Sequence, residues 1–126
     1  MNITKDGKII AILFEAFEKE GTHPQTDPGF PLQLLMMKYP KGKVFDAHTH
    51  EPKERKTDFL QEAIVVTKGK LKVKVLTRTG EFVSEVTVSQ GQCIFSVDGG
   101  CEVEVLEDAE LYEFKTGPFI EDKVML

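Results

Sequence analysis

The stretch Lys70-Leu71-Lys72-Val73-Lys74-Val75-Leu76 alternates strictly between basic and aliphatic residues until its last position. Successive side chains of a β-strand point to opposite faces of a sheet, so we expect the lysines to face solvent and the aliphatic residues to face a core. The residues Thr77-Arg78-Thr79-Gly80 follow as a glycine-containing hairpin loop. This stretch therefore predicts a half-buried β-strand that turns into a hairpin.

Similar short runs recur along the rest of the chain, separated by turn residues at intervals of roughly 8 to 12 residues, which is typical of a β-sandwich or barrel. The predicted strands cover residues 8–14, 32–39, 60–67, 70–76, 82–88, 93–97, 101–105 and 111–115, with a further strand that carries two histidines after Gly42. The residues 21–31 and 51–58 are predicted loops, and Lys68-Gly69 and Glu107-Asp108 are predicted turns. The predicted fold class is all-β.

The composition limits the class of protein. A chain of 126 residues fits one domain, which we divide into an N-terminal strand and loop (1–31), a barrel (32–115) and a C-terminal tail (116–126). The formal net charge of −5 argues against nucleic acid or an anionic membrane as a partner. No apolar run approaches the roughly 20 residues of a membrane span, and no leader segment is recognised, so a cytoplasmic location is expected. Free thiols are expected at Cys93 and Cys101.

Two of the three histidines, His48 and His50, are one residue apart in the stretch that follows Gly42. On a strand they would point to the same face, and imidazole is a common metal ligand near neutral pH. A carboxylate, Glu62, opens the next apolar strand. His23 lies beside a proline in a predicted loop, where a surface role is expected.

The charged loop 51–58 separates His50 from Glu62 and has two interpretations. It can be a solvated loop, or it can form a rim in which Lys53, Arg55 or Lys56 contacts an anionic substrate. The sequence leaves both open.

The residues Gly42, His48, His50, Glu62 and Gly69 resemble the first sequence motif of the cupin superfamily. Cupins place only a few residues between the second histidine and the glutamate, whereas 11 separate them here, so the 51–58 loop is interpreted as an insertion.

Glu54 has the spacing that cupins show after the second histidine, but it lies in the charged loop and no glycine follows at the right distance. Glu62 heads an apolar strand and has that glycine. We therefore prefer Glu62 as the cupin-type carboxylate.

The residues 91–99 resemble the start of the second cupin motif. The segments Gly99-Gly100-Cys101, Leu106-Glu107-Asp108 and Gly117-Pro118-Phe119 are similar to a subgroup of small bacterial cupins, some encoded among genes for surface-polysaccharide sugars. The resemblance implies a single-domain cupin jelly-roll β-barrel with a metal ion at its centre and a homodimer. It does not imply one reaction, because cupins include isomerases, oxygenases and proteins that only bind a ligand.

The fourth ligand position has two candidates. Counting from Gly91 selects Glu102, whereas the local likeness selects Cys101. On a strand Cys101 shares a face with Val103, and Glu102 shares the other face with Glu104; burying two carboxylates is costly unless they are paired. We therefore predict that Cys101 faces inward, either as a thiolate ligand or as a small buried apolar residue. The predicted metal ligands are His48, His50, Glu62 and Cys101, with Lys53 and Arg55 at a substrate rim.

Such a ligand set suits a divalent metal ion: Fe(II), Mn(II), Ni(II), Co(II) or Zn(II). Three functions follow as hypotheses. The protein is a metal-dependent enzyme, an isomerase or oxygenase, acting on a small polar molecule such as a sugar or sugar nucleotide; or a ligand-binding cupin without chemistry; or a metal-free nucleotide-sugar isomerase. A homodimer is expected, with uncovered apolar strand faces at Leu34, Met36, Val103 and Val105 as candidate contacts.

Overall fold

The computed structural model describes residues 1–126 and has no helix, with 49% of the residues in strands, so the all-β prediction is confirmed. The strands are β1 (Asn2–Lys5), β2 (Lys8–Phe14), β3 (Gly21–Pro24), β4 (Leu35–Lys38), β5 (Glu62–Leu76), β6 (Phe82–Ser89), β7 (Cys93–Ser96) and β8 (Gly100–Lys115). The chain contains no apolar helix of membrane-spanning length.

The strands divide between two compact units. The first unit comprises Met1–Ala16 and Gln61–Leu126 and holds a six-stranded sheet, and the second unit, Phe17–Leu60, holds the two-stranded sheet of β3 and β4. The prediction of a single domain over 1–126 stays a prediction.

The six-stranded sheet has the order β1-β2-β7-β5-β6, and β8 lies along the opposite edge of β5. All pairings are antiparallel, and β5 is the central element because it pairs with β7 near its start, with β6 over its second half, and with β8 along its length. The sheet is strongly curled and forms half of a barrel. The closed jelly-roll barrel that the cupin resemblance implies stays a prediction.

The curl is associated with irregular pairing in the middle of the β5–β8 ladder. The register between the two strands shifts three times between Val66 and Leu71, and such bulges bend a strand and increase its twist. Gly69 sits at this bend with a φ of 84°, and a Cβ atom there would lie 2.9 Å from the Ala109 Cα and closer still to the Asp108 carbonyl oxygen. Only glycine fits that backbone approach without a shift of β8.

The core lies on the concave face of the sheet. Leu71, Val73 and Val75 are fully or almost fully buried, which confirms the inward direction predicted from the alternation. They pack with residues of the neighbouring strands: Ile3, Ile10, Ala11, Leu13, Val66, Val88 and Ile94.

Lys70, Lys72 and Lys74 of β5 point to the opposite, convex face, as predicted, but they are only half-exposed. Each forms an ion pair with a glutamate of β8: Lys70 with Glu107 at 3.7 Å, Lys72 with Glu104 at 2.9 Å, and Lys74 with Glu102 at 3.2 Å. The alternation in β5 therefore has an acidic counterpart in β8. These ion pairs place Glu102, Glu104 and Glu107 on the convex face of β8.

Two strand predictions in the second unit need correction. The predicted loop 21–31 contains β3, and β4 covers only four residues of the predicted strand 32–39. The apolar side chains Leu35 and Met37 of this strand are 48% and 45% exposed. The reason is that β4 pairs with β3 alone, in a sheet too small to cover an apolar strand.

The predicted strand that carries the two histidines is also wrong. No strand occurs between β4 and β5, and residues 41–60 are exposed. Four lysines, a proline and a run of charges leave this segment few apolar side chains to bury, and its backbone finds no neighbouring strand to pair with.

Two predicted turns lie inside strands. Lys68-Gly69 belongs to β5 and Glu107-Asp108 belongs to β8. These residues face one another across the ladder, so the glycine and the acidic pair mark a bend in two continuous strands instead of two chain reversals.

Candidate functional site

The two clustered histidines lie in the irregular segment between β4 and β5, where both are exposed. The centroids of the His48 and His50 rings are 5.4 Å apart and the rings meet at 79°. His48 Nδ1 lies 2.8 Å from the Asp46 carbonyl oxygen, which accepts only when Nδ1 carries the proton. The His48 Nε2 lone pair is then available, and this arrangement is common in metal-binding histidines.

The start of the same segment is held by a small aromatic contact. The Tyr39 and Phe45 rings pack edge to face with centroids 4.9 Å apart, and the Lys43 ammonium lies 5.4 Å and 5.5 Å from the two ring centroids. Cation–π contacts of this kind stabilise a loop modestly at exposed sites. They give the segment local order shortly before Asp46.

The residues predicted to form a substrate rim are exposed in this segment. Arg55 Nη1 donates to the Lys53 carbonyl oxygen at 3.4 Å, and Lys56 pairs with Glu54 at 3.1 Å. These are short-range contacts within a charged loop. The interpretation of the loop as a rim for an anionic substrate stays a prediction.

In the first unit, the register of β8 settles which face Cys101 occupies. Cys101 pairs with Val75 and Val103 pairs with Val73, so both share the concave face, whereas Glu102 pairs with Lys74 on the convex face. The predicted alternation is therefore confirmed. Cys101 is nevertheless exposed instead of enclosed, because β8 is the last strand on this side of the sheet.

The charge of Glu62 acts on the Cys101 thiol, although the two residues occupy opposite ends of the β5–β8 ladder. Burial raises the pKa of the Cys101 thiol, and the charges of Glu62 and Glu113 raise that pKa further. An exposed thiol that is still desolvated fits a position inside an open, concave surface, with protein on several sides and water on one. The curl of the sheet is what brings the two ends of the ladder together.

The Glu62 carboxyl is the second ionisable group of this concave face, and burial is the main cause that raises its pKa. Glu113 and Asp122 raise the pKa of Glu62 further, while Lys115 and Lys123 oppose them. A carboxyl with a raised pKa is suited to hold or transfer a proton. The Cys101 thiol stays protonated at neutral pH without a cation beside it, so it is a poor nucleophile there.

Sequence reasoning missed the contribution of Glu113. It pairs with Ile64, which packs on the core, and therefore lies on the same concave face as Glu62. The predicted turn at Glu107-Asp108 hid this, since it divided β8 into two short strands with no fixed relation. Treating 100–115 as one strand opposite β5 would have found it.

The four predicted ligands fall into two pairs: His48 and His50 belong to the second unit, and Glu62 and Cys101 belong to the first. Within each unit, no three His, Cys, Asp or Glu side chains form a group that could hold a metal ion. Comparison with protein-family models, with curated proteins and with solved structures found no significant match. The cupin resemblance therefore rests on the sequence motifs alone.

Proposed function

We propose that the protein is a cupin-type protein that binds a small polar molecule, such as a sugar or sugar nucleotide, on the concave face of its half-barrel sheet. The observation that supports this most is that Glu62, Glu113 and Cys101 share the face of the sheet that carries the apolar core, where burial and the two carboxylates raise the pKa of the Cys101 thiol. Ligand sites are commonly concave and mostly apolar, with a few polar groups that fix orientation.

A divalent metal ion is part of the proposal, and its candidate ligands are the residues that the sequence motifs predict: His48, His50, Glu62 and Cys101. The donor types fit such an ion: a thiol, a carboxyl, and an imidazole whose Nδ1 is already hydrogen-bonded. A bound cation supplies Lewis-acid chemistry, since it polarises a carbonyl or hydroxyl group. The chain's own residues would orient the substrate. A Glu62 side chain that binds the cation does so as a carboxylate, so its capacity to hold a proton belongs to the metal-free alternative.

Metal analysis by mass spectrometry tests the proposal on protein purified without a nickel column. We expect one metal ion per chain, strongly reduced in Cys101→Ser and in His48→Ala. Glu102→Gln is the matched control, because Glu102 faces Lys74 on the convex side and should retain the metal. Metal loss in Glu102→Gln but not in Cys101→Ser would show that the wrong residue was chosen.

Absence of metal from the wild-type protein would overturn the metal-dependent proposal. Titration calorimetry with nucleotide sugars then distinguishes the remaining hypotheses, since a nucleotide-sugar isomerase binds and converts them and a ligand-binding cupin only binds. The predicted homodimer is tested by light scattering, in which a mass near 14.2 kDa would contradict it.

A further inference from the structure

The outer edge of β8 is unpaired. β8 pairs with β5 on one side over its whole length of 16 residues, and no strand lies on its other side. An edge strand presents a row of free backbone N–H and C=O groups that can pair with another chain. Proteins protect such edges with proline, short strands, bulges or charged side chains; residues 101–105 of β8 contain no proline, pair with β5 without a bulge, and carry only Glu102 and Glu104 as charges.

The segment of β8 from residue 101 to residue 105 carries an apolar stripe that no other strand covers. Val103 and Val105 are 40% and 58% exposed, whereas their partners in β5, Val73 and Leu71, are fully buried. The stripe therefore continues from the core onto β8 and stops at its open edge. One more strand beside β8 would cover it.

The opposite face of residues 101–105 carries two glutamates, and each forms an ion pair with a lysine of β5 on one side only. Glu102 bonds to Lys74 and Glu104 bonds to Lys72, yet the two carboxylate side chains remain 65% and 60% exposed. A carboxylate has two oxygens and can accept several hydrogen bonds. Each of these glutamates can therefore accept a second cation from the open side.

A second copy of β8 is a poor occupant of this edge, because β8 is strongly acidic. It contains one lysine, Lys115, against six acidic residues: Glu102, Glu104, Glu107, Asp108, Glu110 and Glu113. Antiparallel pairing of two such strands near residues 101–105 places glutamates beside glutamates, and like charges directly opposite one another destabilise a sheet.

The chain itself shows what β8 accepts. In β5, Lys74 lies opposite Glu102, Val73 opposite Val103, and Lys72 opposite Glu104. We propose that the open 101–105 edge of β8 binds, by β-strand addition, an extended segment of a partner protein in which lysine or arginine alternates with aliphatic residues. The segment's cations lie beside Glu102 and Glu104, and its aliphatic side chains cover Val103 and Val105.

The probe is a labelled synthetic peptide with the sequence of residues 70–76, KLKVKVL, titrated into the full-length protein and followed by fluorescence anisotropy. We expect saturable binding of one peptide per chain, which weakens as added salt screens the exposed charges. The control peptide ELEVEVL keeps the strand propensity and reverses the charge, and it should not bind. Equal binding of the two peptides would overturn the proposal.

Protein variants test the location. The double variant Glu102→Gln/Glu104→Gln should bind KLKVKVL about 2- to 25-fold more weakly, since each cross-strand charge pair makes a small contribution. Glu85→Gln is the matched control, because Glu85 is an exposed glutamate of β6 on the far side of β5, and its binding should be unchanged. An equal loss in the control variant would mean that the peptide responds only to net charge.

Two measurements on the wild-type protein keep the proposal testable even if a variant unfolds. KLKVKVL peptides N-methylated at alternate residues lose the donors of one edge, so one of the two isomers should lose binding. Hydrogen exchange should show new protection at the β8 amides that β5 leaves free. If both isomers bind as well as the unmodified peptide, the proposal is overturned. It is also overturned if the protein alone, by self-association, shows the same protection of these amides without peptide.

Discussion

Replacing Gly69 with alanine tests the bend on which the half-barrel depends. At a φ of 84°, a residue with a Cβ atom costs about 1–2 kcal/mol relative to glycine. The new methyl group would also meet the Asp108 carbonyl and the Ala109 Cα, and crowding of this kind typically adds about 1–3 kcal/mol. The free energy of unfolding should therefore fall by roughly 2–5 kcal/mol, a large part of the 5–15 kcal/mol that is typical of a domain.

Gly91 provides a closely matched control, because its φ is also 84° and no atom lies within 4 Å of the position of its missing Cβ. Gly91→Ala should cost only the backbone contribution of about 1–2 kcal/mol. Urea unfolding of both variants, with midpoints and slopes compared, measures the difference. If Gly69→Ala costs no more than Gly91→Ala, then β8 does not approach β5 as described and the reasoning about the bend is refuted.

Two other changes give separate tests. Phe95 is fully buried in β7, so Phe95→Ala should lower the free energy of unfolding by about 3–5 kcal/mol. Phe82 is 59% exposed, so Phe82→Ala should cost far less. Equal effects of the two changes in thermal unfolding would contradict the described core. Burial, and then the charge of Glu113, raises the pKa of Glu62, so the folded protein holds this proton more tightly than the unfolded chain does. The free energy of unfolding therefore falls as the pH rises from the usual pKa of 4.5 through the raised pKa. Glu62→Gln should therefore stabilise the protein at neutral pH more than below pH 4.5, and a benefit that is the same at both pH values would count against the raised pKa.

Local pattern determined much of the first unit. The alternation of lysine with aliphatic residues in β5 is enough to assign its two faces, because the period of a strand is two whatever lies beside it. The same rule separated Cys101 from Glu102. The turn residues of 77–80 were also predictable from sequence, since their chemistry is local.

Only the tertiary structure decided how far each strand continues. Glycine at position 69 and the acidic pair at 107–108 are turn signals in isolation, yet here they face each other in two long strands that bend together. Whether a glycine reverses the chain or lets two backbones approach depends on what lies across the ladder. Short-range pattern carries no information about that partner.

The same limit applies to the candidate site. The sequence brought Glu62 and Cys101 forward by motif, but the charge of Glu113 beside Glu62 depends on the pairing of β8 with β5. The histidine segment shows the converse. A strand forms only where a neighbouring backbone accepts and donates its hydrogen bonds. The pattern around His48 and His50 predicted a strand, but the fold provides no neighbouring strand with which this segment could pair.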